Sequence, residues 1–436
     1  MARVIPHIAS LTGCRPFWPE RTSTPVSTSP GLIIGLVAGL LLLSAPTDAL
    51  SQPTLEVSRE RARGLLVGSL IGDAAGAPTE FAPPVRYARV RPEAPLSKAE
   101  LTELAARFVI HPSDREQEPF GPWSRIPATL TDDSRFKIIF FDHLAGVAEG
   151  SAEGEAGAAA GSAEGAAVGA TDATVGAAAE ATPHPSRAGF AAEILDWEDR
   201  SELSRAWLAE FAASARWVLG DSAGGLPPER AWGGIPTMAG QMPFLPVALL
   251  SATPEEAYRA TWDLNFLDNG FAKDITSAIA AGLREALNSG ATWQSIEQVM
   301  RSTDPYGFGR VPWVPRQLEQ WLDAAAEIAR EAHGSPERLY ELLDARADAT
   351  TWWEGWVPVL VTFSAVRVGQ GDPLATMQII QEFGHDTDSY LQLAGAFLGA
   401  LHGADVFPEA MRSQVTESLA RDYGASVDEW LELAGY

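Results

Sequence analysis

Long stretches of the chain place apolar residues three and four positions apart, the spacing that gives an α-helix one buried face. Residues 200–219 show this most clearly, with apolar side chains at Leu203, Trp207, Leu208, Phe211, Ala215 and Val218. Similar helical segments are predicted at residues 56–71, 134–144, 276–287, 315–332, 336–345 and 408–421. Clusters of glycine and proline, such as residues 225–228, interrupt them. No strand-like alternation or solenoid repeat is evident, so the pattern predicts an all-α fold.

Two of the apolar segments carry glycine at every fourth position. The first contains Gly64, Gly68 and Gly72, and the second contains Gly395, Gly399 and Gly403. A helical glycine costs about 1 kcal/mol relative to alanine, but a stripe of glycines lets another backbone approach closely. We therefore predict that the two helices pack on each other or on a shared partner. The alternative is that each stripe faces bulky side chains.

Residues 146–187 differ from the rest because they consist mostly of alanine, glycine, glutamate, serine and threonine. This composition offers little apolar side-chain area to bury, so we predict a disordered, solvent-exposed insertion. The insertion lies inside the region of family resemblance described below, and on that ground we predict that it interrupts a single domain over residues 51–436 and does not join two domains.

The first 50 residues have the features of a secretory signal peptide. Three arginines precede an apolar run at residues 31–45, and small residues follow it. Fifteen apolar residues are too few to span a bilayer comfortably, so we expect no stable membrane span in the mature protein. The expected location is the periplasm or the outside of the cell. The alternative is an uncleaved N-terminal anchor.

Charge and cysteine content exclude several function classes. The 436-residue chain has a formal net charge of −25, which repels phosphate backbones and argues against a nucleic-acid partner. Its single cysteine, Cys14, lies in the leader. The predicted mature protein therefore has neither disulfides nor thiolate metal sites.

Acidic residues cluster at the ends of three apolar segments. Asp73 and Glu80 follow the first glycine-striped segment, and two aspartate pairs precede later helices: Asp132 with Asp133, and Asp386 with Asp388. Carboxylates at a helix N-terminus are stabilised by free N–H groups and the helix dipole. If the clusters converged they would repel one another, unless divalent cations bound between them. Hydroxyls of neighbouring threonine and serine residues would favour Mg²⁺ or Mn²⁺. The alternative is that these residues are ordinary N-caps.

Three segments, taken in order, resemble the ADP-ribosylglycohydrolase family. They are GLLVGSLIGDAAGAPTEF (64–81), TLTDDSRFKIIF (129–140) and GHDTDSYLQLAGAFLGALHG (384–403), and the resemblance extends over about residues 61–410. The family has a G-D-x-x-G-x-x-x-E-like turn, a T-D-D-T-like motif and a G-G-D-T-D-T-like motif. The resemblance implies a single compact helical bundle with a site for two Mg²⁺ ions, or for Mn²⁺.

The resemblance also implies roles for individual residues. By motif position, the metal ligands are Thr131, Asp132, Asp133, Asp386, Asp388 and Ser389. Glu80 and Asp133 are the candidate catalytic carboxylates, and Gly384 and His385 are the candidate substrate-binding residues. The expected activity is Mg²⁺-dependent hydrolysis of the ribosyl C1 glycosidic bond in an ADP-ribosylated protein or small molecule. The alternatives are hydrolysis of another nucleoside-like or phosphorylated ribosyl substrate, and a non-catalytic binding or structural role.

The chain departs from the family pattern at a few positions. Ser134 and Ser389 replace threonines, and His385 replaces a glycine, where it either contacts substrate or lies on an exposed loop. The segment 232–250, which corresponds to the family's diphosphate loop, lacks the usual Met-Arg pair. The tryptophan-rich segment 352–356 is interpreted as a core or groove element, with stacking on adenine as the alternative.

Overall fold

The computed structural model describes residues 59–80, 95–112, 128–161, 184–200, 209–221, 223–310, 313–347 and 351–436. The predicted leader lies outside these residues. Within them the chain forms helices α1 (Arg59–Gly76), α2 (Lys98–Ala105), α3 (Asp132–Gly161), α4 (Arg187–Arg200), α5 (Ala209–Val218), α6 (Gln241–Phe244), α7 (Pro254–Leu264), α8 (Gly270–Ala286), α9 (Trp293–Ser302), α10 (Gln317–Glu331), α11 (Pro336–Asp344), α12 (Val357–Val368), α13 (Pro373–Phe383), α14 (Thr387–His402), α15 (Glu409–Tyr423) and α16 (Val427–Leu433). The described residues contain no strand, which confirms the all-α prediction.

Helices α1 and α14 form the centre of the fold. They pack mainly against each other, and α3, α8, α12, α13 and α15 lie around the pair. Every residue of α1 from Gly64 onwards is buried, and so is every residue of α14 except His402. The surrounding helices include amphipathic ones, whose polar faces remain exposed. The described helices belong to one compact unit, Pro53–Tyr436, and none of them has the length and apolarity needed to cross a membrane.

The two glycine stripes face each other. A Cβ atom added at Gly68 would lie 2.1 Å from the carbonyl oxygen of Gly395, and one added at Gly64 would lie 2.1 Å from that of Gly399. The reciprocal additions are equally impossible, at 2.0 Å for Gly395 and 1.8 Å for Gly399. The prediction of close packing is therefore confirmed, with backbone against backbone, and the alternative of bulky side chains in the stripes is wrong.

Local sequence signals account for several helix starts. Thr253 and Glu256 form a capping box at α7, and Ser97 and Glu100 form another at α2. Asp372 caps α13 by accepting a hydrogen bond from the backbone N–H of Ala375. These interactions satisfy N–H groups that have no partner within the helix.

The predicted insertion needs one correction. Helix α3 continues to Gly161, so the first part of the segment predicted to be disordered, residues 146–161, is helical. Alanine and glutamate are strong helix formers, and they extend a helix that the apolar residues of its first turns anchor in the core. Residues 162–183 lie outside the described residues, and α4 begins at Arg187.

A buried ion pair joins α8 to the loop before α10. Arg316 donates two hydrogen bonds to Asp274, at 2.9 and 2.7 Å, and both side chains are 1% exposed. Arg316 also donates to the backbone carbonyls of Met300, Arg301 and Thr303, which lie at the C-terminal end of α9. The same guanidinium therefore neutralises a buried carboxylate and gives hydrogen bonds to carbonyl groups at the end of a helix.

We expect Arg316→Met to lower the free energy of unfolding by about 3–5 kcal/mol, because it leaves the Asp274 carboxylate buried without its cation. Urea denaturation followed by circular dichroism measures this loss. The matched control is Arg338→Met, since Arg338 forms only exposed ion pairs with Glu331 and Glu341. The control should leave the denaturation curve nearly unchanged, and equal losses in the two variants would contradict the assignment.

Candidate metal centre and substrate cleft

The acidic clusters converge on one site at the N-termini of α3 and α14. Ligand atoms of Asp73, Asp133 and Asp388 all lie within 4.8 Å of one another, and the same holds for Glu80, Asp386 and Asp388. Asp388 therefore belongs to both groups. The first turn of each helix presents free N–H groups and a positive dipole end to these carboxylates.

The glycine stripe explains how the carboxylates come so close. A Cβ atom at Gly76, the last residue of α1, would lie 2.4 Å from both the Cα and the backbone nitrogen of Asp388. A Cβ atom at Gly72 would lie 2.0 Å from the carbonyl oxygen of Leu391. The absence of side chains at these two positions brings the end of α1, with Asp73, against the first turn of α14.

Asp73 anchors the Thr131–Ser134 loop to α1. Its carboxylate accepts hydrogen bonds from the backbone N–H of Thr131 (3.1 Å), from the Thr131 hydroxyl (2.6 Å) and from the Ser134 hydroxyl. Sequence reasoning placed Asp73 among the clustered acids but left it out of the predicted ligand set. Its burial and its contacts with the loop show that it belongs to the site.

The Thr131 hydroxyl reveals an electrostatic conflict in the cluster. It lies 2.6 Å from Oδ1 of Asp73 and 3.0 Å from Oδ2 of Asp388. A hydroxyl carries one hydrogen, so it can donate to only one of these carboxylates at a time. The other pair of oxygens then needs a proton or a cation between them. A divalent cation between the two oxygens would satisfy this need, since the carboxylate and hydroxyl groups of the cluster offer it oxygen ligands.

Asp133 is held by side chains from α14. The Ser389 hydroxyl donates to its Oδ2 at 3.0 Å, and the Gln392 amide donates to its Oδ1. Behind Gln392 lies Lys137, whose ammonium group donates to the Gln392 side-chain oxygen and, at 2.8 Å, to the backbone carbonyl of Asp133. Sequence reasoning did not find Lys137 or Gln392 as site residues, because each lies inside an apolar helical segment.

Burial and mutual repulsion oppose ionisation of the cluster. Burial raises the pKa of Asp73 above its ordinary value, and it raises the pKa of Asp386 to about 7. For Asp133 and Asp388 burial is again the main cause of a raised pKa, and neighbouring carboxylates add to it. A bound cation would favour the ionised forms of these groups.

The donor set fits a hard divalent cation. Carboxylate and hydroxyl oxygens are the ligands that Mg²⁺ and Mn²⁺ prefer, and the described residues around the cluster offer neither thiolate nor imidazole. Among the predicted ligands, Asp132, Asp133, Asp386, Asp388 and Ser389 line one cleft, and Thr131 lies buried behind them. The two groups that share Asp388 are the candidate ligand sets.

The cleft has a volume of about 320 Å³ and an acidic end and an apolar end. Glu80 and the aspartates form the acidic end. The apolar wall contains Ala209, Phe211, Trp232, Met238, Ala239, Met242 and Trp353. Trp232 has a φ of 54°, a left-handed conformation that is rare for a bulky residue.

The tryptophan-rich segment divides between two environments. Trp353 is 42% exposed and lines the cleft, whereas Trp356 is 3% exposed and stacks on Trp321 with ring centroids 3.7 Å apart. Trp356 therefore has the core role that the sequence predicts. Trp353 stands in the groove, where a planar group could contact it.

The segment Trp232–Leu250 forms much of the apolar wall, and hydrogen bonds to the turn between α7 and α8 hold it in place. Asp268 accepts hydrogen bonds from the backbone N–H of Gly240 and from the Asn265 amide, both at 2.7 Å. A Cβ atom at Gly240 would lie 2.4 Å from the side-chain ends of Asn265 and Asp268, so a larger residue would have to displace these hydrogen-bonded groups. The turn between α7 and α8 therefore helps to shape the cleft.

Gly384 and His385 lie beside the metal loop but are not among the residues that line the cleft. His385 Nε2 is 3.0 Å from Oδ1 of Asp344, and the ring packs edge-on against Phe383 with centroids 5.0 Å apart. Both residues have positive φ values, 84° and 66°. The histidine thus occupies a conformation that suits glycine, and its ring is held by α11. The substrate-binding role of these two residues stays a prediction.

Comparison with protein families identifies the relatives of this chain. Residues 54–435 match the family model of the ADP-ribosylglycohydrolases. A solved structure described as an ADP-ribosylglycohydrolase-related protein complex is similar to this chain, with 15% sequence identity and a TM-score of 0.49. The similarity covers 86% of this chain and 96% of that one. No curated protein matches the chain.

Proposed function

The chain belongs to the ADP-ribosylglycohydrolase family and is therefore a glycosidase; we propose that it is a Mg²⁺-dependent hydrolase of ADP-ribosylated proteins or small molecules. The bond cleaved joins C1 of the ribose to the attached group. The proposal rests on two groups of buried carboxylates that have Asp388 in common. They lie at the end of a cleft large enough for a ribosyl group. Bound cations would offset the mutual repulsion of these carboxylates in their ionised forms.

Two groups of residues would hold the ions. Asp73, Asp133 and Asp388 form one, and Glu80, Asp386 and Asp388 form the other. When bound, the ions would supply Lewis-acid contacts that orient the vicinal hydroxyls of the ribose. The chain itself contributes rigid ligands, because α1 and α14 hold these residues through backbone contact.

Hydrolysis adds water across the bond between C1 and the leaving atom. The water oxygen attacks C1 as the bond breaks, the ribose passes through an oxocarbenium-like state, and a proton reaches the leaving group. A carboxylate must take a proton from the water. Both oxygens of Asp133 already accept hydrogen bonds from side chains of α14, which leaves them less free to accept a proton from water. Glu80, at the end of the short helix after α1 and on the cleft wall, is therefore the preferred base.

A second substrate class is favoured by the composition of the cleft. Among the described lining residues six are acidic and none is lysine or arginine. A diphosphate would have to bind through the ions or through backbone N–H groups. A ribosyl substrate without a diphosphate, such as a nucleoside, would avoid this repulsion.

The test is release of product from a panel of substrates by the purified protein. The panel contains arginine-, serine- and acetyl-linked ADP-ribose and a set of nucleosides, each assayed with Mg²⁺ and with a chelator. We expect release of ADP-ribose from at least one linkage with Mg²⁺ and none with the chelator. Release from nucleosides alone would assign the second substrate class. Release that persists in the chelator would overturn the metal dependence.

A further inference from the structure

Lys137 is a fully buried cation behind the candidate metal centre. Its side chain is 1% exposed, and it lies one helical turn after Asp133 in α3. The ammonium group donates to the backbone carbonyl of Asp133 at 2.8 Å and to the side-chain oxygen of Gln392. Lysine is almost never buried completely unless its charge is paired. Its two hydrogen-bond partners are neutral oxygens, so its charge is balanced by nearby carboxylates of the site and not by a direct ion pair.

Gln392 connects the lysine to Asp133. An ammonium group has only donors, so the Gln392 side chain must turn its oxygen towards Lys137. Its NH₂ group then faces Oδ1 of Asp133 and donates to it. Gln392 is itself 1% exposed, so water cannot replace either contact easily. The lysine therefore determines the orientation of the amide, and the amide fixes one oxygen of Asp133.

The charge of Lys137 acts on the whole cluster. Burial lowers the pKa of Lys137, and the carboxylates of Asp133, Asp73, Asp132 and Asp388, all of which belong to the site, oppose that shift by attracting the ammonium group. In a buried site such interactions are stronger than in water, because the effective dielectric constant is lower. One positive charge is thus built into the protein where several negative charges meet.

We propose that Lys137 is a resident counter-cation of the carboxylate cluster: it stabilises the metal-free fold, and its repulsion of divalent ions lowers their affinity for the site. The proposal rests on the metal centre of the proposed function. A site with this lysine would hold its carboxylates in place when the ions leave. It would also release and rebind the ions more readily than a site of carboxylates alone.

The test compares Lys137→Met with the unmodified protein at pH 8, with the metal alone as the probe. Binding of Mn²⁺ is measured from the electron paramagnetic resonance signal of the free ion, and Mg²⁺ is measured by competition. We expect the dissociation constant to fall by about tenfold, because the variant loses a positive charge close to the ions. We expect the melting temperature of the metal-free variant to fall and the increase on adding Mg²⁺ to be larger.

A matched control is Lys273→Met. Lys273 is a partly buried lysine on α8 that lies over the Trp262 ring, and the charges acting on it come from residues outside the cluster, chiefly Arg187 and Asp268. The control should leave the Mn²⁺ dissociation constant unchanged. If Lys137→Met fails to fold, Lys137→Gln provides the same measurement, because it removes the charge and keeps a hydrogen-bond donor for Gln392.

The outcomes separate this inference from the proposed function. If the unmodified protein binds no Mn²⁺ or Mg²⁺, the metal-dependent function fails. If it binds them and both Lys137 variants bind them with the same or lower affinity, the counter-cation role alone is overturned. A purely structural lysine would change the melting temperature without tightening metal binding.

Discussion

Asp388→Asn is expected to abolish metal binding and to reduce kcat/KM by about a thousandfold or more, equivalent to about 4 kcal/mol of transition-state stabilisation. Asp388 is the one carboxylate shared by both candidate ligand groups. Its oxygens also contact the Thr131 hydroxyl and the backbone N–H of Ser389. Replacing one oxygen by NH₂ removes a negative charge and places a donor where each cation needs an acceptor.

The same variant should be more stable than the unmodified protein in the absence of metal. Burial and neighbouring carboxylates raise the pKa of Asp388, so its ionised form destabilises the metal-free fold. Asparagine removes that repulsion. Thermal unfolding with and without Mg²⁺ measures both effects: we expect a higher melting temperature in the chelator and no increase on adding Mg²⁺. An inactive variant of raised stability would show that its loss of activity is not a loss of fold.

Asp372→Asn is the matched control for this substitution. Asp372 caps α13 by accepting a hydrogen bond from Ala375, and asparagine caps a helix equally well. The control should retain activity, metal binding and stability. Substantial metal binding or activity in Asp388→Asn would contradict the assignment of the shared ligand.

Gly68→Ala is expected to lower the free energy of unfolding by about 3 kcal/mol or more, at or above the upper end of the usual cost of overpacking. The new methyl group would lie 2.1 Å from the carbonyl oxygen of Gly395 and 2.9 Å from the Phe407 ring. A backbone carbonyl cannot rotate away as a side chain can, so α1 and α14 would have to separate. Urea denaturation measures the loss.

Gly146→Ala is the control that separates the effect of the new steric contact from the effect of helix propensity. Gly146 lies on the exposed side of α3, and a Cβ atom there would have no neighbour within 4 Å. This substitution should stabilise the protein by about 0.5–1 kcal/mol, because alanine loses less backbone entropy on forming a helix. Stabilisation by Gly68→Ala as well would show that the two stripes do not touch.

The contact between the glycine stripes affects both the stability of the fold and the geometry of the candidate metal centre. Gly76 and Gly72 continue the stripe of α1 to the point where Asp73 meets Asp388. Any separation of the two helices therefore moves the ligands of both candidate ion sites. The stability of the fold and the geometry of the candidate site therefore depend on the same helix contact.

Features that depend on neighbouring residues could be predicted from the sequence alone. Helical periodicity, the two glycine stripes and the aspartate pairs at helix starts are all local patterns, and the structure contains each of them. Their order along the chain was sufficient to predict the family. The helical residues 146–161 were missed because low apolar content was weighted above the helix propensity of alanine.

Features that depend on side-chain direction between distant segments were decided only by the tertiary structure. The pairing of α1 with α14 brings Asp73 within reach of Thr131 and Asp388, residues far away in the sequence. The same pairing places Lys137 and Gln392, which look like polar interruptions of apolar helices, against the metal centre. A sequence specifies which residues are helical and which faces are apolar, but the distances between faces follow from how closely the backbones pack. Here that closeness, and with it the geometry of the site, depends on glycines whose missing side chains leave room for another helix.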